Sequence, residues 1–172
     1  MANAQDISVI IPAYNAAPTL AKCLTALTSQ TSPPGEIVVV DDGSTDATRQ
    51  VAEGFGVKVI ANSRGKGAGG ARNSGAAAAA GKVLAFTDSD CVPPANWLEN
   101  IAAALNEPET LGVAGGYCRH VGESFIGWFA FLELRLRRRD FPRHVATAVS
   151  NNFAVRAEAF HQAGGFPEKF SG

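Results

Sequence analysis

Two aspartates separated by one serine, Asp88-Ser89-Asp90, close an apolar run at 82–87 (KVLAFT). In an extended chain residues two apart point the same way, so both carboxylates can face one point. Two such charges about 4 Å apart repel by roughly 4 kcal/mol at an effective dielectric of about 20. A proton, an arginine or a cation must offset that repulsion. Paired hard oxygen ligands suit Mg2+ or Mn2+, particularly where substrate phosphates complete the shell. A solvated acidic turn is the plainer explanation of an isolated D-x-D. It loses ground here because the pair ends a buried strand beside a second acidic strand end.

That second end is Asp41-Asp42, after the apolar run 36–40 (EIVVV). A carboxylate there can accept hydrogen bonds from a nucleobase N–H or from ribose hydroxyls. Gly43-Ser44 favours a turn and a helix cap, but two adjacent aspartates exceed what a turn needs. A third segment, 65–70 (GKGAGG), spells G-x-G-x-x-G between a strand and a helix, with Asp88 and Asp90 roughly 20 residues on. That matches the dinucleotide fingerprint of an NAD(P)-dependent Rossmann oxidoreductase. The fingerprint belongs on the first strand–helix turn, whereas here it follows the third strand and leaves Asp41-Asp42 without a role. Arg64, Lys66 and Arg72 flank the loop, either balancing phosphate charge or solvated on its surface.

These residues need elements to position them. Apolar runs at 7–11 (ISVII), 36–40, 57–61 (VKVIA) and 82–87 read as buried strands. Helical stretches at 18–29, 45–53, 71–80 and 96–106 alternate with them. Pro18 suits a first helical turn, Ser44 is placed to cap the second helix with Asp46 at its positive end, and the small residues of 71–80 let that helix lie close to a sheet. The alternation predicts an α/β domain with a mostly parallel sheet covered on both faces. Ligands bind such sheets beyond the carboxyl ends of the strands. Those ends carry Tyr14-Asn15, Asp41-Asp42, Asn62-Ser63-Arg64 and Asp88-Ser89-Asp90, one polar rim drawn from four places in the sequence. Beyond 111 the pattern changes: a strand at 112–118, an aromatic and then basic stretch from 124, a strand at 147–155, a short helix at 156–163, and then Gly164-Gly165-Phe166-Pro167.

Length and composition bound the rest. The 172 residues, 46% of them apolar, fit one domain spanning 1–172 with a sizeable core. A net charge of −1 gives bulk electrostatics no reason to attract nucleic acid or a membrane. Cys23, Cys91 and Cys118 are widely spaced and form no C-x-x-C, so neither a disulfide framework nor a zinc site is expected, and a reducing, cytoplasmic compartment fits. The start MANAQD does not read as a signal peptide, and no apolar run is long enough to span a bilayer. Phe125, Trp128, Phe129, Leu132 and Leu136 fall at helical spacing, the mark of a core-facing stripe. Arg135, Arg137, Arg138, Arg139 and Arg143 beside them make peripheral membrane contact through 124–143 the competing reading. His120, His144 and His161 show no metal-ligand spacing.

The chain resembles the family 2 glycosyltransferases. The segments that carry the likeness are 9–16 (VIIPAYNA), 38–46 (VVVDDGSTD), 67–75 (GAGGARNSG), 84–90 (LAFTDSD) and 164–170 (GGFPEKF). The resemblance implies a GT-A fold, Rossmann-like, and inverting transfer of a sugar from a nucleoside diphosphate, UDP by family habit, to an acceptor hydroxyl. It implies Mn2+ or Mg2+ on Asp88 and Asp90, with Ser89 between them in the donor site. Asp41 or Asp42, the choice left open, contacts the nucleoside; Pro12, Ala13, Tyr14 and Asn15 line its pocket; and Arg64, Lys66 and Arg72 lie on the donor side. The family's general base sits in an E-D pair just after the G-G-F segment, which places it beyond Gly172, and Glu168 matches a different position. The expectation is a chain truncated on its acceptor side that binds donor but transfers poorly, or a catalytically inactive nucleotide-binding module. A glycan or lipid-linked acceptor, met at the inner membrane face, is what the resemblance adds to the basic stretch.

Overall fold

The computed structural model describes residues 3–106, 110, 112–114 and 150–167. In chain order these form β1 (Ile7–Ala13), α1 (Ala17–Thr28), β2 (Glu36–Asp41), α2 (Thr48–Gly54), β3 (Lys58–Ala61), α3 (Ala68–Ala78), β4 (Val83–Thr87), α4 (Trp97–Leu105), β5 (Gly112–Ala114), β6 (Asn152–Arg156) and α5 (Ala157–Gln162). They build a six-stranded sheet in the order β3-β2-β1-β4-β6-β5. The first four strands are mutually parallel, while β6 runs antiparallel to both β4 and β5. The mostly parallel α/β sheet expected from the sequence is therefore present, with an antiparallel strand set into one side. The aromatic and basic stretch 124–143, Cys118, His120 and His144 lie outside the described residues.

The two-residue period of the strands sorts their side chains cleanly. Ile7, Val9 and Ile11 of β1, Ile37 and Val39 of β2, and Val83 and Ala85 of β4 face a core completed by Leu20, Leu24 and Leu27 of α1 and Leu98 and Leu105 of α4. Ile10, Val38, Val40, Leu84 and Phe86 face the other way, against Ala71 and Ala76 of α3 and Phe160 of α5. Burial on both faces explains why these strands read as continuous apolar runs.

Two helix starts differ from the sequence reading. Ser44 does not cap the second helix, because its Oγ accepts the Asn15 N–H at 3.0 Å and so ties the end of β1 to the turn after β2. The helix begins at Thr48 instead, where Asp46 Oδ1 accepts the Thr48 N–H at 2.9 Å. Helix α3 begins at Ala68, earlier than 71, because Gly67 at its N-cap takes φ +103, a left-handed region that costs glycine nothing. The last glycines of the G-x-G-x-x-G string thus belong to the helix itself. Among the described residues no helix is long and apolar enough to cross a membrane.

Candidate active site

Beyond the carboxyl ends of β1, β2 and β4 lies a cleft of about 430 Å³, within the usual range for a small-molecule site. Pro12, Ala13, Tyr14 and Asn15 line it from the end of β1, Asp42 from the end of β2, Ala68, Ala71 and Arg72 from α3, and Asp88, Ser89 and Asp90 from the end of β4. The acids at the two strand ends therefore share one cavity. Asp41, Arg64 and Lys66 are not among its lining residues.

The sheet's period separates the two adjacent aspartates. Asp41, the last residue of β2, points to the α1/α2 side; its Oδ1 accepts the Ser44 N–H at 2.9 Å and its Oδ2 lies 3.7 Å from Arg49 Nη1 on α2. Asp42 turns to the cleft. Its Oδ1 accepts from Asn62 Nδ2 at 2.6 Å and its Oδ2 from the Gly67 N–H at 2.8 Å. Asn62 Oδ1 in turn accepts from Ser74 Oγ at 2.7 Å. The glycine-rich loop is thereby fastened to Asp42 and to α3, which gives it a placement unlike the first-turn position of a dinucleotide fingerprint. Arg64 and Lys66 are exposed.

The turn after β1 is fixed with equal care. Asn15 is the one described non-glycine residue at positive φ (47°), a conformation asparagine tolerates better than most residues. Its Oδ1 accepts the Thr45 N–H at 2.8 Å, and the next N–H, of Ala16, donates to Thr48 Oγ1 at 2.8 Å. This bracing holds Tyr14 at the cleft with its side chain outward and 62% exposed.

Arg72 supplies what the D-x-D pair requires. Only 7% exposed, it donates from Nη2 to Asp88 Oδ1 at 2.5 Å. Its Nε is buried without a hydrogen-bond partner among the described residues, and its guanidinium carbon lies 5.6 Å from the centre of the Phe166 ring. One offset for the charge on Asp88 is thus present within the chain. Behind them Cys23 Sγ donates to the Asp88 carbonyl at 3.5 Å. Burial, reinforced by the nearby Cys91, Asp90 and Asp88, pushes the Cys23 thiol up to about 12.

The donor set fits a divalent cation of the Mg2+ or Mn2+ kind only in a limited way. Among the described residues no group of three or more His, Cys, Asp or Glu side chains is placed to hold a metal. Asp88 keeps one oxygen beyond its bond to Arg72, and Asp90 is exposed. Two carboxylates without a third protein ligand suit a cation that keeps waters and takes its remaining oxygens from a bound phosphate. Sequence reasoning did not assign roles to Asn62, Asn73 or Phe166. The first was visible as a polar strand end; for the other two the only signal was membership of a motif.

The sequence profile described as Glycosyl transferase family 2 matches residues 8–164. Glycosyltransferase AglE of Haloferax volcanii is 33% identical over 172 aligned residues, covering 94% of this chain and 56% of the relative. Among solved structures, the mannosyltransferase PcManGT of Pyrobaculum calidifontis, in complex with GDP-Man and Mn2+, superposes with a TM-score of 0.74 at 22% identity over 98% of this chain and 50% of its own. Glucosyl-3-phosphoglycerate synthase of Mycobacterium tuberculosis, in complex with Mn2+, UDP and glucosyl-3-phosphoglycerate, superposes with a TM-score of 0.66 at 25% identity over 88% and 57%. The chain spans about half the length of each of these three proteins.

Proposed function

The chain belongs to glycosyl transferase family 2, and from that premise we propose that it binds a UDP-sugar together with Mn2+ or Mg2+ in the cleft, as the donor-binding part of an inverting sugar transfer to an acceptor hydroxyl. The observation that carries this reading is the convergence of Asp42, Arg72, Asp88 and Asp90, from three separate stretches of sequence, around one cavity with the exposed Tyr14 at its edge. The relative solved with Mn2+ and UDP supports the choice of nucleotide and cation.

Each residue has distinct work in this reading. Tyr14 offers an exposed ring face on which a nucleobase can stack. Asp42, already oriented by Asn62 and Gly67, has unused lone pairs for a base N–H or ribose hydroxyl. The free oxygen of Asp88 and the carboxylate of Asp90 hold the cation, whose contribution when bound is to stabilise charge on the departing diphosphate as a Lewis acid. Arg72 adds a fixed positive charge on the same side.

A thermal-shift panel of nucleoside diphosphates and their sugars, with and without Mn2+, tests the reading. A ligand at 100 times its Kd adds about 2.7 kcal/mol of stability, and UDP with Mn2+ is expected to give the largest shift. Stabilisation by NADH in preference to every nucleoside diphosphate would return the glycine-rich loop to its dinucleotide role.

A further inference from the structure

Phe166 belongs to the G-G-F-P segment, does not line the cleft, and has no role in the binding scheme above. Its surroundings are nonetheless specific. The side chain of Asn73, the neighbour of Arg72 on α3, accepts the Phe166 N–H on Oδ1 at 2.9 Å and donates from Nδ2 to the Phe166 carbonyl at 2.9 Å. This two-way amide clamp pins the backbone of Phe166 whatever its side chain. The ring meets Phe86 edge-on at 5.1 Å between centroids and lies 5.5 Å from Phe160. On the side of the cleft it carries the guanidinium of Arg72 at 5.6 Å.

We propose that Phe166, pinned by Asn73, is a positioning residue of the donor site: its ring holds Arg72 against Asp88 and so fixes the charge that receives the diphosphate. The proposal rests on the donor-site reading. Filling the apolar space between Phe86 and Phe160 asks only for bulk, which leucine or methionine also provides. Supporting a buried guanidinium asks for a ring face, because the attraction between a cation and an aromatic quadrupole is strongest where water is excluded. Arg72 spends one donor on Asp88 and leaves Nε without a partner among the described residues, so hydrogen bonds alone do not fix its plane. Through Phe166, the segment on the far side of α3 thereby sets the geometry of an ion pair at the end of β4.

The variants Phe166→Leu and Phe166→Met remove the ring and keep apolar bulk; Phe166→Tyr keeps the ring. Two measurements on the full chain decide the matter, using whichever of the ring-less variants melts cooperatively. The first is free of ligand: the Arg72 Nε–H resonance in arginine-labelled protein, identified by its loss in Arg72→Lys. It is expected to be shifted by the ring current in the wild-type chain, unchanged in Phe166→Tyr, and displaced in the ring-less variant. The second is calorimetric titration with UDP and Mn2+. The ring-less variant is expected to bind about fivefold more weakly and Phe166→Tyr within about twofold of the wild-type chain. In an Arg72→Gln background, loss of the ring should have no further effect, which a packing role would not produce. An unmoved Arg72 resonance, or additive losses in the double variant, overturns the proposal. If the wild-type chain binds no nucleoside diphosphate with Mn2+, the donor reading falls, and the resonance comparison alone decides whether Phe166 holds the pair.

Discussion

Arg72 and Asp88 meet through a single contact of 2.5 Å between Nη2 and Oδ1, and the two come from opposite kinds of element: the buried face of a helix and the open end of a strand. The arginine side chain is 8% exposed and the aspartate 35%. The pair therefore straddles the boundary between core and cleft, and the two aspartates of the D-x-D segment are expected to respond differently to substitution. Asp88→Asn leaves a buried guanidinium without its counter-charge and should lower stability by about 1–2 kcal/mol, less than for a fully buried pair because Asp88 is partly solvated. Asp90→Asn, at an exposed position, should stay within about 0.5 kcal/mol of the wild-type chain. Both should abolish the extra stabilisation by UDP that Mn2+ confers, as should EDTA. Chemical denaturation and the thermal shift read the two effects separately; an equal loss of stability in both variants would contradict the asymmetry.

Asp41 and Asp42 form a second contrast. Asp41→Asn weakens a turn bond to Ser44 and a long ion pair to Arg49, so a stability loss of about 1 kcal/mol is expected with UDP affinity unchanged. Asp42→Asn should weaken UDP binding about tenfold, or roughly 1.4 kcal/mol, and should also cost about 1 kcal/mol of stability, because its new NH2 group meets a donor, Asn62 Nδ2 or the Gly67 N–H. Titration calorimetry beside denaturation on both variants checks the assignment, and a fall in affinity confined to Asp41→Asn would reverse it.

The opposite orientation of those two acids was legible in principle. Residues 37 and 39 share a face with 41, and 38 and 40 share the other, so parity alone sends Asp41 toward α1 and α2 and its neighbour to the cleft. The strands and the rim could be read because doubly buried strands announce themselves as apolar runs and ligands gather at their carboxyl ends. The start of α2 was misread because Ser44 is a good cap by type, and nothing local reveals that Asn15, distant in sequence, takes its hydroxyl. The links from Arg72 to Phe166 and from Asn73 to the backbone around residue 166 were equally hidden. They join segments more than ninety positions apart, and no period or turn signal carries that information.

Acid stability offers a test away from the cleft. Burial pushes the Glu36 carboxyl up, but the Ala80 N–H, the Ser8 hydroxyl and the charge of Lys58 together outweigh it and hold Glu36 below its ordinary value of 4.5. A carboxylate depressed by folding contributes stability that is present above the unfolded value and lost as pH falls through the folded one. Glu36→Gln should therefore cost about 1–2 kcal/mol at pH 7, with the difference from the wild-type chain shrinking below 4.5. Parallel denaturation curves between pH 3 and 7, with a gap that stayed constant, would rule this out.

Thiol chemistry should discriminate between the two described cysteines. Cys23 is fully buried with its thiol pushed up to about 12, so at pH 8 it holds almost no thiolate, the reactive form. Peptide mapping after brief iodoacetamide treatment of native protein should find Cys91 modified and Cys23 untouched, with Cys23 labelled only after unfolding. Modification of Cys23 at the rate of Cys91 would show that α1 opens readily.

Helix α3 rests on the sheet at Gly75, where an added Cβ would press into Ile10 and meet Val40 Cγ2 at 3.0 Å. The missing side chain acts as a gauge that sets the depth of the whole helix. A methyl at 75 costs about 1–3 kcal/mol as overpacking, and its mechanical effect reaches further. Levering α3 outward by a fraction of an ångström carries residue 72, one turn away, off the carboxylate beneath it. Hydrogen at position 75 is therefore part of the tolerance to which the cleft is built, although nothing that enters the cleft ever touches it.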